Sequence, residues 1–211
     1  MSGWKQPFNA RKRWDSLTLK SMFHDGHREL QDRFDGRRLS DALEKHRRLP
    51  WFRDEDKAFI EEAEFFFLAT AHGDSVDCSF KGGPRGFVRV TGPNALEWTD
   101  LDGNSMYRSM GNILRSGRAG LLFLRFGDDP RRLRVNGSCR LVDTDTPTGT
   151  KLTVHLTAEE IFPNCPRYIP DLQHAAESPF LPDETGVGRK PEWKSFDSLR
   201  DALPENDPHR T

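Results

Sequence analysis

Apolar residues in the middle of the chain fall into short segments with the period of β-strands. Glu64 to Ala71 is an apolar run of strand length. Apolar and polar residues alternate from Leu133 to Leu141, and the alternation returns from Leu152 to Leu156. Other strand-like segments are separated by glycine-, proline- and asparagine-containing turns: Ser75 to Lys81, Gly86 to Thr91, Ala95 to Thr99 and Arg118 to Phe126. Six or seven strands at this spacing, with one helix inserted, predict a closed antiparallel barrel.

The two ends of the chain have a different texture. Leucines and phenylalanines occur at helical spacing among many charges in two segments, Asp25 to Arg38 and Leu39 to Arg48. This pattern predicts amphipathic helices that lie on the surface of another structural element. Asp54 predicts the cap of a short helix that runs to about Ala63. We therefore expect an N-terminal helical extension over residues 1–60, a barrel domain over 61–170 and an extended tail over 171–211. The helical extension fits either a lid or an enlarged subunit interface.

Composition excludes several classes of partner. Lysine and arginine number 32 against 33 aspartate and glutamate, a balance that gives no case for nucleic acid as the main partner. The three cysteines lack a CxxC spacing and are odd in number, so the sequence predicts neither a disulfide framework nor a zinc site, and a reducing cytoplasm fits. No segment approaches the ~20 apolar residues of a membrane span. We expect a cytoplasmic protein without a metal or a membrane anchor.

The segment from Asp102 to Ser116 is the strongest candidate for chemistry. Asn104 is a residue type that caps helix N-termini, and a helix after it would place Ser105, Arg108, Ser109 and Asn112 on one face. Hydroxyls, a guanidinium and an amide near a helix N-terminus suit a phosphate, because the helix dipole and the free N–H groups favour an anion. Taken alone, the same pattern also fits a solvated polar helix face.

Several ordered motifs resemble the split-barrel proteins related to pyridoxamine 5'-phosphate oxidase. They read FFFLATA, DCSFKGGPRGFVRV, GNSMYRSMGNIL, RAGLLFL, RRLRVNGSCRLV and EIFPNCPRYI, and together they cover roughly Phe65 to Ile169. The resemblance implies a mainly β (α+β) fold, a six- to seven-stranded antiparallel split β-barrel preceded by helices. It also implies a homodimer that holds FMN at its subunit interface.

Site roles follow from the resemblance residue by residue. Arg108 and Ser109 take the positions of phosphate ligands, and Ser105 and Asn112 are weaker candidates for the same role. The residues expected beside the flavin ring are Ser79, Lys81, Gly86, Phe87, Val88 and Arg89. Lys81 or Arg89 would stabilise the negative charge of a reduced flavin. Arg167 and Cys165, in the closing motif, are further candidates to approach the ring, although Cys165 also fits a structural thiol.

The implied function is an FMN-dependent oxidoreductase that takes electrons from NADH, NADPH or a small organic substrate. The oxidases proper carry Ser-Arg-Lys where this chain has Tyr107-Arg108-Ser109, and their substrate-gripping C-terminal segment is not recognisable here, so pyridoxamine phosphate is not implied as substrate. Related split barrels bind the deazaflavin F420 or haem, and His72 or His155 would be the axial ligand of a haem. A non-catalytic flavin-binding module is the remaining alternative.

Histidines elsewhere do not predict a metal site. His24 and His27 are three residues apart, a spacing that places both on one helical turn. Metal binding requires two or more further ligands, and the neighbouring sequence supplies none convincingly. We therefore interpret both as surface histidines.

Overall fold

The computed structural model describes residues 21–101, 103–144, 152–172, 176, 178–181, 188–205, 207 and 210. The chain divides into two compact units that meet in sequence between Pro50 and Trp51. The predicted division at residues 60 and 170 is a finer one and stays a prediction.

The first unit contains two helices, α1 (Asp25–Arg33) and α2 (Arg37–Arg47). Neither helix has a buried residue. The predicted helices are confirmed, but α1 ends earlier than expected because Asp35 adopts a left-handed conformation (φ 52°). Three large apolar side chains of these helices are exposed, Leu30, Leu39 and Leu43, and so is Phe34, which directly follows α1.

The second unit is built on a seven-stranded antiparallel sheet. Helix α3 (Asp54–Glu61) precedes it, and α4 (Arg108–Ser116) separates the fourth strand from the fifth. The strands are β1 (Phe65–His72), β2 (Ser75–Gly82), β3 (Val88–Gly92), β4 (Ala95–Asp100), β5 (Arg118–Arg125), β6 (Arg131–Asp143) and β7 (Leu152–Asn164). A 3₁₀ turn (Glu192–Ser195) and α5 (Asp197–Arg200) follow. The predicted α+β class and the seven strands are confirmed.

The sheet is split and not closed. Its strand order is β2-β1-β5-β6-β7-β4-β3, so β2 and β3 are edges of the described ladder. The spacing of the strands wrongly predicts full closure, whereas the split barrel is confirmed. A side-chain contact crosses the opening, where Lys81 Nζ of β2 donates to Asp100 Oδ1 of β4 at 2.7 Å.

An aromatic cluster fills the interior between the strands. Phe66 lies at its centre, with ring-centroid distances of 5.9 Å to Phe87, 5.3 Å to Trp98 and 5.3 Å to Phe123. These rings come from β1, β4, β5 and the residue before β3, so one cluster joins both halves of the sheet. Offset and edge-to-face pairs of this kind add stabilisation beyond their burial. One face of β5, with Ala119, Leu121 and Phe123, is buried, whereas the face of Leu122 and Leu124 is half-buried.

The glycine of the RVNG motif has a steric reason. The ladder between β6 and β7 shifts register at this point. Asn136 pairs with Glu160, whereas the next residue, Gly137, pairs with Ala158. A Cβ at Gly137 would lie 2.1 Å from the Thr157 carbonyl oxygen. Only glycine allows the two backbones to approach this closely.

Burial predicts a sharp contrast between two leucines. Leu68 of β1 is fully buried, whereas Leu114 of α4 is 68% exposed. We expect Leu68→Ala to lower the free energy of unfolding by about 2–5 kcal/mol, because it leaves a cavity in the core. The matched Leu114→Ala should change it by less than about 0.5 kcal/mol. Urea denaturation measures both, and equal losses would contradict this account of the core.

Candidate functional site

A cavity of about 280 Å³ lies between the inner face of β2, the end of β4 and the start of α4. Its lining is largely polar at the β2 and α4 walls and includes two cations and two carboxylates among the described residues. The lining residues are Asp77, Ser79, Lys81, Asp100, Leu101, Gly103, Asn104, Ser105, Met106, Tyr107, Arg108, Ser109, Met110 and Leu152.

Alternation along β2 places three polar side chains on this wall. Asp77, Ser79 and Lys81 are two residues apart and therefore share one face of the strand. They pair in register with Thr70, Leu68 and Phe66 of β1, whose side chains are buried. The edge strand thus directs its polar residues to the side of the sheet that holds the core.

The loop before α4 differs from the sequence prediction. The side-chain Oδ1 of Asn104 accepts a hydrogen bond from the N–H of Met106 at 3.1 Å, which is a local turn and not a helix cap. Ser105 and Tyr107 both adopt positive φ, 59° and 49°. The helix therefore begins at Arg108, and the expectation that Ser105 lies on the helix with Arg108 is wrong. Ser105 nevertheless lines the cavity from the loop.

Hydrogen bonds connect the first turn of α4 to β2. Ser109 Oγ donates to Asp77 Oδ2 at 2.5 Å and lies 2.9 Å from Ser79 Oγ. Arg108 Nε is 3.3 Å from Asp77 Oδ1. The second ion pair of the cavity joins Lys81 and Asp100. Both cations of the described lining are therefore paired with carboxylates.

The start of α4 also offers backbone donors. Gly111 is the first residue of this helix whose N–H bonds back along the chain, to the Tyr107 carbonyl at 2.6 Å. The N–H groups of residues 108–110 precede it and have no intrahelical acceptor. Together with the guanidinium, the hydroxyls and the helix dipole, they suit an anion.

Five of the residues expected at the site come together in this cavity, and they are Ser79, Lys81, Ser105, Arg108 and Ser109. Asn112 does not join them. Its amide is buried and donates to Thr70 Oγ1 at 3.3 Å and to the Ser75 carbonyl at 3.4 Å. Because its side chain points towards β1 and β2, Asn112 holds α4 against these two strands and does not line the cavity.

The expected residues around β3 do not line the cavity. Phe87 packs against Phe66 in the core, and Val88 is fully buried. Arg89 is 69% exposed and pairs with Glu97. The role of this strand beside a flavin ring stays a prediction.

Arg167 also lies outside the cavity lining. Its guanidinium lies 5.5 Å from the ring centroid of Tyr168. Its backbone N–H donates to the Cys165 thiol, which is exposed.

Asp77 and Asp100 are the functional candidates that sequence reasoning missed. The signal for Asp77 was present, because it precedes Ser79 by two residues in the same alternation. Asp100 meets Lys81 only through the curvature of the sheet, which no local pattern encodes.

The two histidines considered as haem ligands are both outside the described cavity lining. His155 Nδ1 lies 3.1 Å from Glu97 Oε2. His24 and His27 stack with their ring centroids 3.6 Å apart.

In the part of the chain that the structure describes, no three His, Cys, Asp or Glu side chains are grouped to hold a metal ion. None of its helices has the length and apolar character needed to cross a membrane.

A family model gives the decisive comparison. The model for pyridoxamine 5'-phosphate oxidase matches residues 52–195, which is more than half of the chain. The chain belongs to this family. The matched region contains the seven strands, α4 and every described residue of the cavity. No curated protein matches this family member by sequence.

Solved structures of similar proteins include HupZ of Group A Streptococcus, at 13% identity and a TM-score of 0.40, over 53% of this chain and 93% of that chain. HutZ, the heme storage protein from Vibrio cholerae, is 13% identical with a TM-score of 0.38, over 52% of this chain and 92% of its own. An FMN-binding protein from Syntrophomonas wolfei is 11% identical with a TM-score of 0.38, over 64% and 95%.

Cys139 of β6 and Cys165, which directly follows β7, differ in the acidity of their thiols. Burial raises the pKa of Cys139 to about 12. The pKa of Cys165 is lowered, first by the hydrogen bond from the Arg167 backbone N–H and then by the Arg167 side chain and the charge of Arg132.

We therefore expect the Cys165 thiolate to form at a lower pH than the thiolate of an unperturbed cysteine. In a variant with Cys78 and Cys139 replaced by serine, the rate of alkylation by iodoacetamide should reach half its maximum at a lower pH than the ordinary value, which is measured on a short cysteine-containing peptide. The measurement is a pH series of the alkylation rate by mass spectrometry. A midpoint at or above the ordinary value would contradict the prediction.

Proposed function

We propose that this protein is an FMN-dependent oxidoreductase of the pyridoxamine 5'-phosphate oxidase-like family, with the phosphate of FMN bound at the start of α4. The observation that carries the proposal is the position of Arg108 and Ser109. They are the first two residues of the helix and line one cavity with Ser79 and Lys81.

The residues present fit a phosphate. Arg108 supplies a planar guanidinium that can hold two oxygens, and Ser109 and Ser79 supply hydroxyl donors 2.9 Å apart. The free N–H groups of the first helical turn add donors that require no side-chain movement. The side chain of Arg108 is 58% exposed, so it can turn towards an incoming ligand.

The chemistry would be supplied by FMN, which exchanges a hydride or electrons when bound. The contribution of the chain is to hold the phosphate and to place positive charge beside the ring. Lys81 lies in the cavity and suits this electrostatic role, whereas Arg89 points elsewhere and pairs with Glu97. NADH, NADPH and a small organic molecule are all compatible electron donors under this proposal.

The lining of the cavity favours FMN over the alternative cofactors. Neither His72 nor His155 lies among the described lining residues, so neither is placed to bind a haem iron there. The longer acidic tail of F420 would need more positive charge than Lys81 and Arg108 provide, since each already contacts a carboxylate.

A homodimer is part of the proposal. The cavity, at about 280 Å³, is slightly smaller than the roughly 300–1,000 Å³ of small-molecule sites. It is large enough for the phosphate end of FMN, and a second subunit would complete the enclosure of the ring.

The opposite side of the same edge strand supports an interface. We call Phe65, Phe67, Phe80 and Phe126 the aromatic face. The Phe65 ring lies 5.3 Å from that of Phe80 and 6.1 Å from that of Phe126, and Phe80 is 62% exposed. Exposed apolar patches of this kind mark interaction surfaces.

A cytoplasmic location is a further part of the proposal. It is supported by the free cysteines Cys78, Cys139 and Cys165.

The phosphate assignment predicts the effect of Arg108→Ala. Loss of a charge-assisted hydrogen bond should raise the Kd for FMN by about 10- to 100-fold, as followed by quenching of flavin fluorescence. Arg115→Ala is the matched control, because Arg115 is exposed on the last turn of the same helix and outside the cavity lining. Equal Kd values for Arg108→Ala and the wild type would refute the phosphate assignment. The enzyme assignment has its own readout, since bound FMN that neither NADH, NADPH nor a small organic donor reduces would indicate a non-catalytic module.

The dimer predicts the effect of Phe80→Glu. A charge in the middle of the aromatic face should shift the molar mass by light scattering from dimer to monomer, because burying an unpaired carboxylate is unfavourable. Val142→Glu adds the same charge on β6, away from this face, and should leave the dimer intact. A wild-type monomer, or a Phe80→Glu dimer of unchanged stability, would contradict the proposed interface.

A further inference from the structure

The Asp77 carboxylate already occupies the groups proposed to hold a phosphate. Its Oδ2 accepts a hydrogen bond from Ser109 Oγ at 2.5 Å, and its Oδ1 lies 3.3 Å from Arg108 Nε. Ser79 Oγ lies 2.9 Å from Ser109 Oγ and extends the same network. An anion that binds to Arg108 and Ser109 therefore meets a carboxylate that uses both donors.

Asp77 and Arg108, the two partners of this ion pair, differ in how freely their side chains can reorient. Asp77 is fixed on β2 by its register with Thr70, and its side chain is 16% exposed. Arg108 is far more exposed and has a long, flexible side chain. Consequently the guanidinium can turn to an incoming anion, whereas the carboxylate stays at the wall of the cavity.

This inference rests on the proposed phosphate site. We infer that Asp77 is a specificity-determining residue that competes with the anionic group of the ligand for Arg108 and Ser109 and so keeps small free anions out. A phosphate has to replace the hydrogen bonds of the carboxylate and is repelled by its charge. A phosphate monoester such as FMN offsets this penalty through contacts of the rest of the molecule. Inorganic phosphate has no such contacts.

Asp100 provides a matched control for the competition. It lines the same cavity and carries the same charge, but its described partner is Lys81 at 2.7 Å. Its side chain is buried to a similar degree as that of Asp77. Removing the charge of Asp100 changes the net charge of the cavity without freeing Arg108 or Ser109.

The test is a titration of the intact chain with inorganic phosphate at constant ionic strength. The backbone amide NMR signals of Arg108 and Ser109 report binding at the site itself. We expect Asp77→Asn to lower the Kd for phosphate at least about tenfold, and Asp100→Asn to lower it less than about threefold. An unchanged or higher Kd in Asp77→Asn overturns the inference. An equal gain in both variants also overturns it, because net charge and not competition would then be the cause.

A double variant tests whether Asp77 affects phosphate binding through Arg108. In Arg108→Ala, the additional change Asp77→Asn should give less than about a threefold gain, because one of the contested donors is missing; a full tenfold gain there overturns the inference. Urea denaturation establishes that each variant is folded. If Asp77→Asn does not fold, Asp77→Ser removes the same charge and carries the same expectation.

An FMN titration of the wild type distinguishes a failure of the role inferred for Asp77 from a failure of the proposed function. Uptake of FMN without any gain for phosphate in Asp77→Asn refutes the role of Asp77 and leaves the proposed function standing. A tenfold gain for phosphate in a protein that takes up no FMN refutes the FMN assignment and supports Asp77 as the competitor at an anion site.

Discussion

The antiparallel pairing of β1 with the edge strand β2 is the constraint on which the other features depend. Alternation puts Phe66, Leu68 and Thr70 on the inner side of the sheet, and their partners Lys81, Ser79 and Asp77 must point the same way. The outer side then receives Phe67 and Phe80. A slip of β2 by one residue would send its polar side chains outward and Phe80 into the cavity. Core, cavity and aromatic face are thus three consequences of one register.

The cavity combines features with opposite effects on an anion. The start of α4 favours negative charge through its dipole and its free N–H groups. The carboxylates of Asp77 and Asp100 neutralise the two described cations of the lining. In the absence of a ligand this pairing avoids unpaired charge in a half-enclosed space, which would be unfavourable. The same pairing makes the binding of an anion an exchange of partners, so the rest of the ligand decides which anions bind.

The sequence predicted the elements better than it predicted the site. Strand-length alternation and turn residues located all seven strands, and the motif glycine at position 137 marks a real close approach of two backbones. The start of α4 was predicted too early, because the Asn104 side chain forms a local turn where a cap was expected. Asn112 shares the helix with Arg108 but turns inward to Thr70, a choice that depends on tertiary packing. The pair of Lys81 and Asp100 crosses the split between two strands that share no backbone hydrogen bonds, so only the curvature of the sheet reveals it.

The central claim is that the cavity at the start of α4 holds FMN. The most direct measurement is the absorption spectrum of the purified protein, repeated on the supernatant after heat release and on the protein after addition of FMN. The account predicts a flavin spectrum that heat transfers to the supernatant, or saturable uptake of added FMN by the colourless protein. A haem Soret band, a deazaflavin band or a colourless protein that takes up no FMN would contradict it.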